Sequence, residues 1–411
     1  MTTHPAPTRK DSLATAGGWI AYVGPFRFPW GEPGSRRVLG LARSMAAAGH
    51  DVVVAGGDDG PASPAPVDGV AGTGRVRYVG LGERPTAGTG RLATVAHLLV
   101  RLGEQTVRWL DSQPTRPACV VVYGGGTQYI ARIGRWCRRH GVPLVADVVE
   151  WYAPHQLAGG ALGPVHLSAK LALHYYYPRC QGVIAISSLL ERHYRERGVP
   201  VLRVPPTLDV LGLRVRDHGL GAQRPGLHLV YFGTPGRKDL LGTVVRAVDS
   251  VGREAQLTLS VYGPSVDEVR GLLGGADLPP SVRVPGRVPQ PQVEEIVSGA
   301  NFSVLVRPSA RFTNAGFPTK FAESLACGTP VIANLTSDLG QFLTDGEQGL
   351  VCRDATVTEL RRVLCRAVRL SGAQLAAMRV AARATAETAF DYRRYAGRVD
   401  AFLNALPLRR Q

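Results

Sequence analysis

Residues 19–57 read WIAYVGPFRFPWGEPGSRRVLGLARSMAAAGHDVVVAGG. The segment opens with a short apolar run, WIAYV at 19–23. A loop rich in glycine and proline follows, from Gly24 to Gly34. Leu39, Leu41, Ala42, Met45 and Ala46 then recur at helical spacing, Gly49 is placed to end that helix, and 52–55 reads as a second strand. The segment is therefore a βαβ unit with a glycine loop at the carboxyl end of its first strand. In open parallel sheets, ligands sit at that end.

The same pattern continues outward. Strands are expected near 76–78, 119–123, 143–147 and 183–186, and helices over 91–111 and 128–140. Ser188 is expected to cap a helix over 189–197, with Glu191 completing a capping box. From Val204 to Gly226 proline, glycine and polar residues break the periodicity, which reads as a hinge linker. The α/β pattern then restarts. Strands are expected at 227–232, 257–262, 282–284, 302–306 and 331–333, and helices at 240–251, 293–298, 319–326, 357–369, 373–388 and 391–406. The expected fold class is α/β, with two Rossmann-like parallel-sheet domains facing a cleft. The expected boundaries are a loose tail at 1–18, an N-terminal domain at 19–208, a linker at 209–226, a C-terminal domain at 227–388 and a final helix at 389–411.

Bulk composition agrees with two soluble domains. The 411 residues are 45% hydrophobic and 19% charged, enough apolar material for a packed core. No run of about 18 apolar residues occurs, so no membrane-spanning helix is expected. The first 18 residues lack an apolar stretch, so no secretory signal is expected. Six cysteines, at 119, 137, 180, 327, 352 and 365, form no CxxC pair and read as core residues in a reducing cytosol. The net charge is +16, which raises nucleic acid, an anionic membrane face or anionic small molecules as partners. Only Lys10, Lys170, Lys238 and Lys320 are lysines; the rest of the positive charge is dispersed arginine. Dispersed arginine without aromatic interleaving disfavours a nucleic-acid partner.

Several segments carry chemistry. The 24–34 loop is not GxGxxG, so a dinucleotide fingerprint is not supported. Arg36 and Arg37 open the helix after it, where cations oppose the helix dipole and call for a nearby anion. Gly233-Thr234-Pro235-Gly236-Arg237-Lys238-Asp239 follows a strand and starts a helix; it is not a Walker A loop, yet it sets Arg237 and Lys238 to reach a diphosphate. Gly316-Phe317-Pro318-Thr319 leads into a helix whose free amides suit negative charge or sugar hydroxyls. Glu323 lies about one turn along, and a carboxylate there suits vicinal hydroxyls of a ribose. Asp147, Glu150, Trp151 and His155 follow the end of a strand and face the cleft; Glu150 and His155 are the candidates to contact a reacting hydroxyl. No DxD, HExxH or GxSxG motif occurs, so neither a metal site nor a serine hydrolase is expected.

FPTKFAESLACGTPVIAN (317–334) resembles the C-terminal signature of GT-B glycosyltransferases of family 4, also called group 1. So do YFGTPGRKD, VYGP, VPGRV, LVRPS and DGEQGLVC in that order, and AISSLLERHY in the first half. The branch it looks like is that of bacterial polysaccharide and natural-product clusters. The resemblance implies sugar transfer from a UDP- or GDP-linked donor to a hydroxyl acceptor, with retention, without a metal and without a further cofactor. It implies that Glu323 holds the donor ribose, that Arg237 and Lys238 bind the diphosphate, that Gly316, Phe317 and Pro318 face the donor sugar, and that Arg287 and Val288 face the base. Gly233 and Thr319 fall in the same donor segments, and Gly31, Glu32 and Trp151 on the acceptor side. His155 or Glu150 matches the polar residue near the reacting carbon. The first glutamate of the family's E-x7-E pattern falls at Ala315, and Asn314 or Lys320 stands in for it. The acceptor class stays open: a glycan, a lipid-linked or a small-molecule acceptor, in a cytoplasmic protein with or without peripheral membrane contact. A nucleotide-sugar epimerase, a phosphorylase or a non-catalytic sugar-nucleotide binder are the alternatives.

Overall fold

The computed structural model describes residues 18–67, 74–85, 90–213, 226–236, 238–252 and 255–407. Strands β1 (Trp19–Val23), β2 (Asp51–Gly56), β3 (Ala65–Pro66), β4 (Val76–Gly80), β5 (Cys119–Tyr123), β6 (Leu144–Val148), β7 (Gly182–Ala185) and β8 (Val201–Arg203) form one sheet. Its order is β3-β4-β2-β1-β5-β6-β7-β8, parallel throughout except for the short edge strand β3. Strands β1, β5 and β7 are nearly continuous apolar runs, as strands covered on both faces by helices must be. Strands β9 (Leu227–Phe232), β10 (Leu257–Tyr262), β11 (Val282–Gly286), β12 (Phe302–Leu305), β13 (Val331–Asn334) and β14 (Gly349–Cys352) form a second sheet, ordered β11-β10-β9-β12-β13-β14 and parallel. The architecture is two doubly wound α/β units. Most of the expected linker, residues 214–225, and the N-terminal tail apart from Gly18 lie outside the described residues.

Several elements depart from the sequence reading. The helix expected over 91–111 is broken: Arg91–Ala96 passes into a π-helical stretch, His97–Arg101, and a new helix, Glu104–Ser112, restarts after Gly103 at φ 93°. Its first amides, on Gln105 and Thr106, donate to the carboxylate of buried Glu83, which only the tertiary fold brings there. The helix Ser188–Arg195 is capped by Ser187 rather than Ser188, because the Ser188 hydroxyl is committed to Asp338 of the second domain at 2.5 Å. Strands β3, β8 and β14 were not anticipated, being two to four residues long.

Packing joins the two units. One apolar cluster runs from the first sheet into Phe317, Phe321 and Phe390 of the second half, whose rings meet edge-on at 5.8–6.2 Å. The last helix, Ala396–Asn404, crosses back: Val399 and Leu403 are buried with Ile20, Leu41 and Val145 of the first domain. Where the chain crosses, Leu208 donates to the Phe390 carbonyl and accepts from the Tyr392 amide, at 2.8 and 2.9 Å. The helix Pro33–Ala47 lies close on the outgoing chain, since a β-carbon at Gly40 would stand 2.1 Å from the Thr207 carbonyl oxygen. Among the described residues no helix is long and apolar enough to cross a membrane. The six cysteines are unpaired, and five are buried.

Candidate functional site

The site lies where loops after β6 and β7 meet loops after β9 and β12. Its foundation is a buried ion pair. Arg37, in the first helix, donates to Asp147 at the end of β6 at 2.8 Å, and both side chains are fully enclosed. The remaining Arg37 donors reach the carbonyls of Val204 and Pro205, and the Tyr22 hydroxyl donates to the second Asp147 oxygen at 2.5 Å. Burial, then the Asp147 charge, pushes the Tyr22 phenol upward, so it stays protonated as the donor. The loop that carries Glu150 and Trp151 begins two residues beyond Asp147 and is fixed through it.

Two further ion pairs cross the seam. Arg36 pairs with Glu323, and Lys238 pairs with Glu150. The cations that oppose the dipole of the first helix are thus answered by the protein's own carboxylates, one across the cleft and one in the core. Gly316 lies against the second pair: a β-carbon there would stand 3.5 Å from Lys238 Nζ and 3.7 Å from Glu150 Oε2. Its carbonyl accepts from Ser337 Oγ at 2.5 Å, and Asn314 Oδ1 accepts from the Ser337 amide at 2.9 Å. Ser337 holds a left-handed φ of 56° while it braces this segment. Ala315 is wholly buried, and its carbonyl accepts from Ser187 Oγ at 2.6 Å. The helix Thr319–Ala326 starts at Pro318, and no side chain caps its first turn.

Beneath the Gly233–Lys238 loop lies a second buried charge cluster. Asp239 accepts from Arg307 Nε at 2.8 Å, Lys320 Nζ at 2.5 Å and the Tyr231 hydroxyl at 2.7 Å. Burial alone would raise the Asp239 carboxyl, but Arg307 and Lys320 overcome it and hold the group down at about 2. A carboxyl depressed in the folded state contributes stability above its unfolded value and loses it as pH falls toward the folded one. Urea midpoints followed by circular dichroism are therefore expected to fall between about pH 4 and pH 2. Asp239→Asn should flatten that decline.

A cavity of about 820 Å³ opens beside this seam, lined mostly by the first domain. Gly124, Gly125, Glu150, Trp151, Lys170, His193 and Arg311 contribute to its wall. Trp151 is central: its ring meets His193 edge-on at 4.8 Å and His174 at 5.2 Å, and the Arg311 guanidinium lies 5.3 Å over it.

The residues named from sequence divide accordingly. Glu150, Lys238, Gly316 and Glu323 meet at the seam, Trp151 lines the cavity, and Phe317 is buried in the inter-domain cluster. Lys320 is neutralised by Asp239 below the Gly233 loop, and a β-carbon at Gly233 would touch its Cε at 2.9 Å. His155 is exposed and packs edge-on to Phe312 at 5.1 Å, outside the cavity wall. Glu32 accepts from the Arg27 amide and pairs with Arg84 at 3.2 Å, shaping its own loop, and Gly31 is exposed at φ 115°. Arg287 is exposed and Val288 half-buried, just beyond β11. Arg237 lies outside the described residues. Sequence reasoning missed Asp239, Asp338, Arg311 and the cavity histidines, whose neighbours are distant in the chain. A visible signal was the arginine-rich helix directly after β7, at the ligand-facing end of the sheet.

Two parallel-sheet units meeting at a charged seam have the GT-B architecture, and comparison with known proteins agrees. A family model described as "Glycosyl transferase 4-like domain" matches residues 34–207, and one described as "Glycosyl transferases group 1" matches 226–369. A sucrose-phosphate synthase from Thermosynechococcus elongatus superposes with a TM-score of 0.72 at 17% identity, over 93% of this chain and 98% of that one. The Anabaena protein HepE, in complex with UDP-glucose, gives 0.64 at 15% identity over 94% and 100%. An E. coli trehalose-6-phosphate protein bound with UDP-2-fluoro glucose gives 0.66 at 9% identity over 95% and 100%. A comparison with curated protein sequences finds no match. The chain belongs to the GT-B glycosyltransferases of family 4, the group 1 enzymes.

Proposed function

We propose that the C-terminal domain binds a UDP- or GDP-linked sugar and the N-terminal cavity seats the acceptor, with retention of configuration and no metal. The carrying observation is the pair of ion pairs at the seam. Glu323 and Lys238, the two groups named for ribose and diphosphate, are both already engaged by opposite charges from the other domain. The donor's arrival exchanges those partners: the ribose hydroxyls replace Arg36 on Glu323, and the diphosphate replaces Glu150 on Lys238. Released, Glu150 stands beside Gly316, where an acceptor hydroxyl has to approach. In the reaction the bond between the anomeric carbon and the diphosphate oxygen breaks, and its electron pair leaves on the phosphate. The acceptor oxygen bonds to the same face of that carbon, and its proton passes to the departing phosphate. Lys238 and the first amides of the helix Thr319–Ala326 stabilise the charge that develops. Closure of the seam excludes water, which would otherwise hydrolyse the donor. Support for a UDP donor comes from the fold shared with neighbours solved with UDP-glucose and UDP-2-fluoro glucose. We place the reaction in the cytoplasm.

The test is thermal unfolding with UDP, GDP or NAD. UDP or GDP is expected to raise the melting temperature, and Glu323→Ala to weaken that nucleotide about ten- to a hundred-fold, the size of charge-assisted hydrogen bonds. A shift with NAD alone would overturn the reading.

A further inference from the structure

The cavity carries more positive charge than its own carboxylates answer. Lys170, Arg192, Arg197 and Arg311 all line it. Of the lining carboxylates, Asp147 is committed to Arg37 and Glu150 to Lys238. Among the described residues, no ion pair joins any of the four cations to a carboxylate, and Glu196 is the one lining acid outside an ion pair.

The cations are also organised. Arg197 Nη1 donates to the His193 carbonyl at 2.6 Å, which ties its guanidinium to the helix beside the cavity. His193 and His174 meet at 5.4 Å, both touch Trp151, and Arg311 covers that ring from the opposite domain. His193 is nine-tenths buried, yet its Nε2 has no hydrogen-bond partner, and buried His166 leaves Nδ1 equally unanswered on the same wall. Burial lowers the His193 imidazole to about 4, with Arg197, His174 and Arg311 adding to it. The ring is neutral near pH 7 and has one N–H to donate. Guanidinium forks together with an unanswered imidazole suit a tetrahedral oxyanion better than a neutral sugar.

We propose that this cavity selects an acceptor bearing a phosphate group, held between Arg197 and Arg311 with His193 Nε2 beside it and Lys170 and Arg192 at the rim. The proposal rests on the transferase reading and names its acceptor class. It also assigns Arg311 a linking role. The helix Arg311–Ala315 runs directly into Gly316, so a phosphate that engages Arg311 ties the acceptor to the backbone beside the donor sugar. The cavity then becomes complete only when both domains contribute.

The experiment uses the full chain with saturating UDP, so that the diphosphate site is filled, and titrates glucose 6-phosphate and glucose by calorimetry. Glucose 6-phosphate is expected to bind and glucose to bind far more weakly. Arg197→Gln and Arg311→Gln should each weaken the sugar phosphate about ten-fold or more, as loss of a charged fork does. Their thermal response to UDP should be unchanged, which shows that they fold and keep the donor site. A second arm floats the protein with phosphatidylcholine vesicles with and without phosphatidic acid. Arginine-dependent binding to the sugar phosphate identifies a soluble acceptor, and arginine-dependent flotation with phosphatidic acid identifies a lipid-linked one; either supports the proposal. Equal binding of sugar and sugar phosphate, or variants that match the parent in both arms, would overturn it. Loss of the UDP response in the parent would instead defeat the transferase reading.

Discussion

Lys238→Ala is expected to lower kcat/KM for sugar transfer by about a hundred- to a thousand-fold, the usual cost of removing one preorganised group facing developing negative charge. The Lys238 side chain is only 18% exposed, and its ammonium lies beside the Gly316 backbone at the seam. The charge that forms when the donor bond breaks falls on the diphosphate, so most of the loss should appear in kcat rather than KM. The variant also strands Glu150, whose carboxylate would then face the diphosphate with no cation between them. Adding Glu150→Gln to Lys238→Ala should therefore recover part of the rate. Steady-state kinetics on the three proteins decide the matter, and an unaltered kcat in Lys238→Ala removes the residue from this role.

Asp147→Ala should cost about 3–5 kcal/mol of stability, the range for removing one partner of a buried ion pair. The reason is what remains. Arg37 keeps its charge with its side chain 2% exposed, and the Tyr22 hydroxyl loses its acceptor. Two carbonyls, of Val204 and Pro205, still hold one end of the guanidinium but supply no counter-charge. Asp147→Asn keeps acceptor capacity and should cost less. Urea denaturation gives both values. A loss under about 1 kcal/mol for Asp147→Ala would mean that water or a relaxed Arg37 replaces the carboxylate.

Much of the fold was legible in the chain. The apolar runs at β1, β5 and β9 and the glycines after them sufficed for two parallel units, because strands covered on both faces must be apolar throughout. The short strands β3, β8 and β14 escaped because two to four residues hold no period to detect. Gly103 interrupts a pattern that otherwise reads as one helix, and the compensating cap on the Gln105 amide comes from Glu83, 22 residues before it. The site was legible in part. Glu323 and Lys238 stand in recognisable motifs, whereas their partners Arg36 and Glu150 are 287 and 88 residues away and carry no local mark. The cavity cations were read as dispersed charge, since no spacing in a single chain shows that Arg197 and Arg311 line one cavity.

The crossing at Leu208 limits how this enzyme moves. Two lengths of backbone span the halves, and a pair of amide contacts between Leu208 and residues 390 and 392 clasps them side by side. Any motion that parts the two halves must either turn about that clasp or break both of its hydrogen bonds.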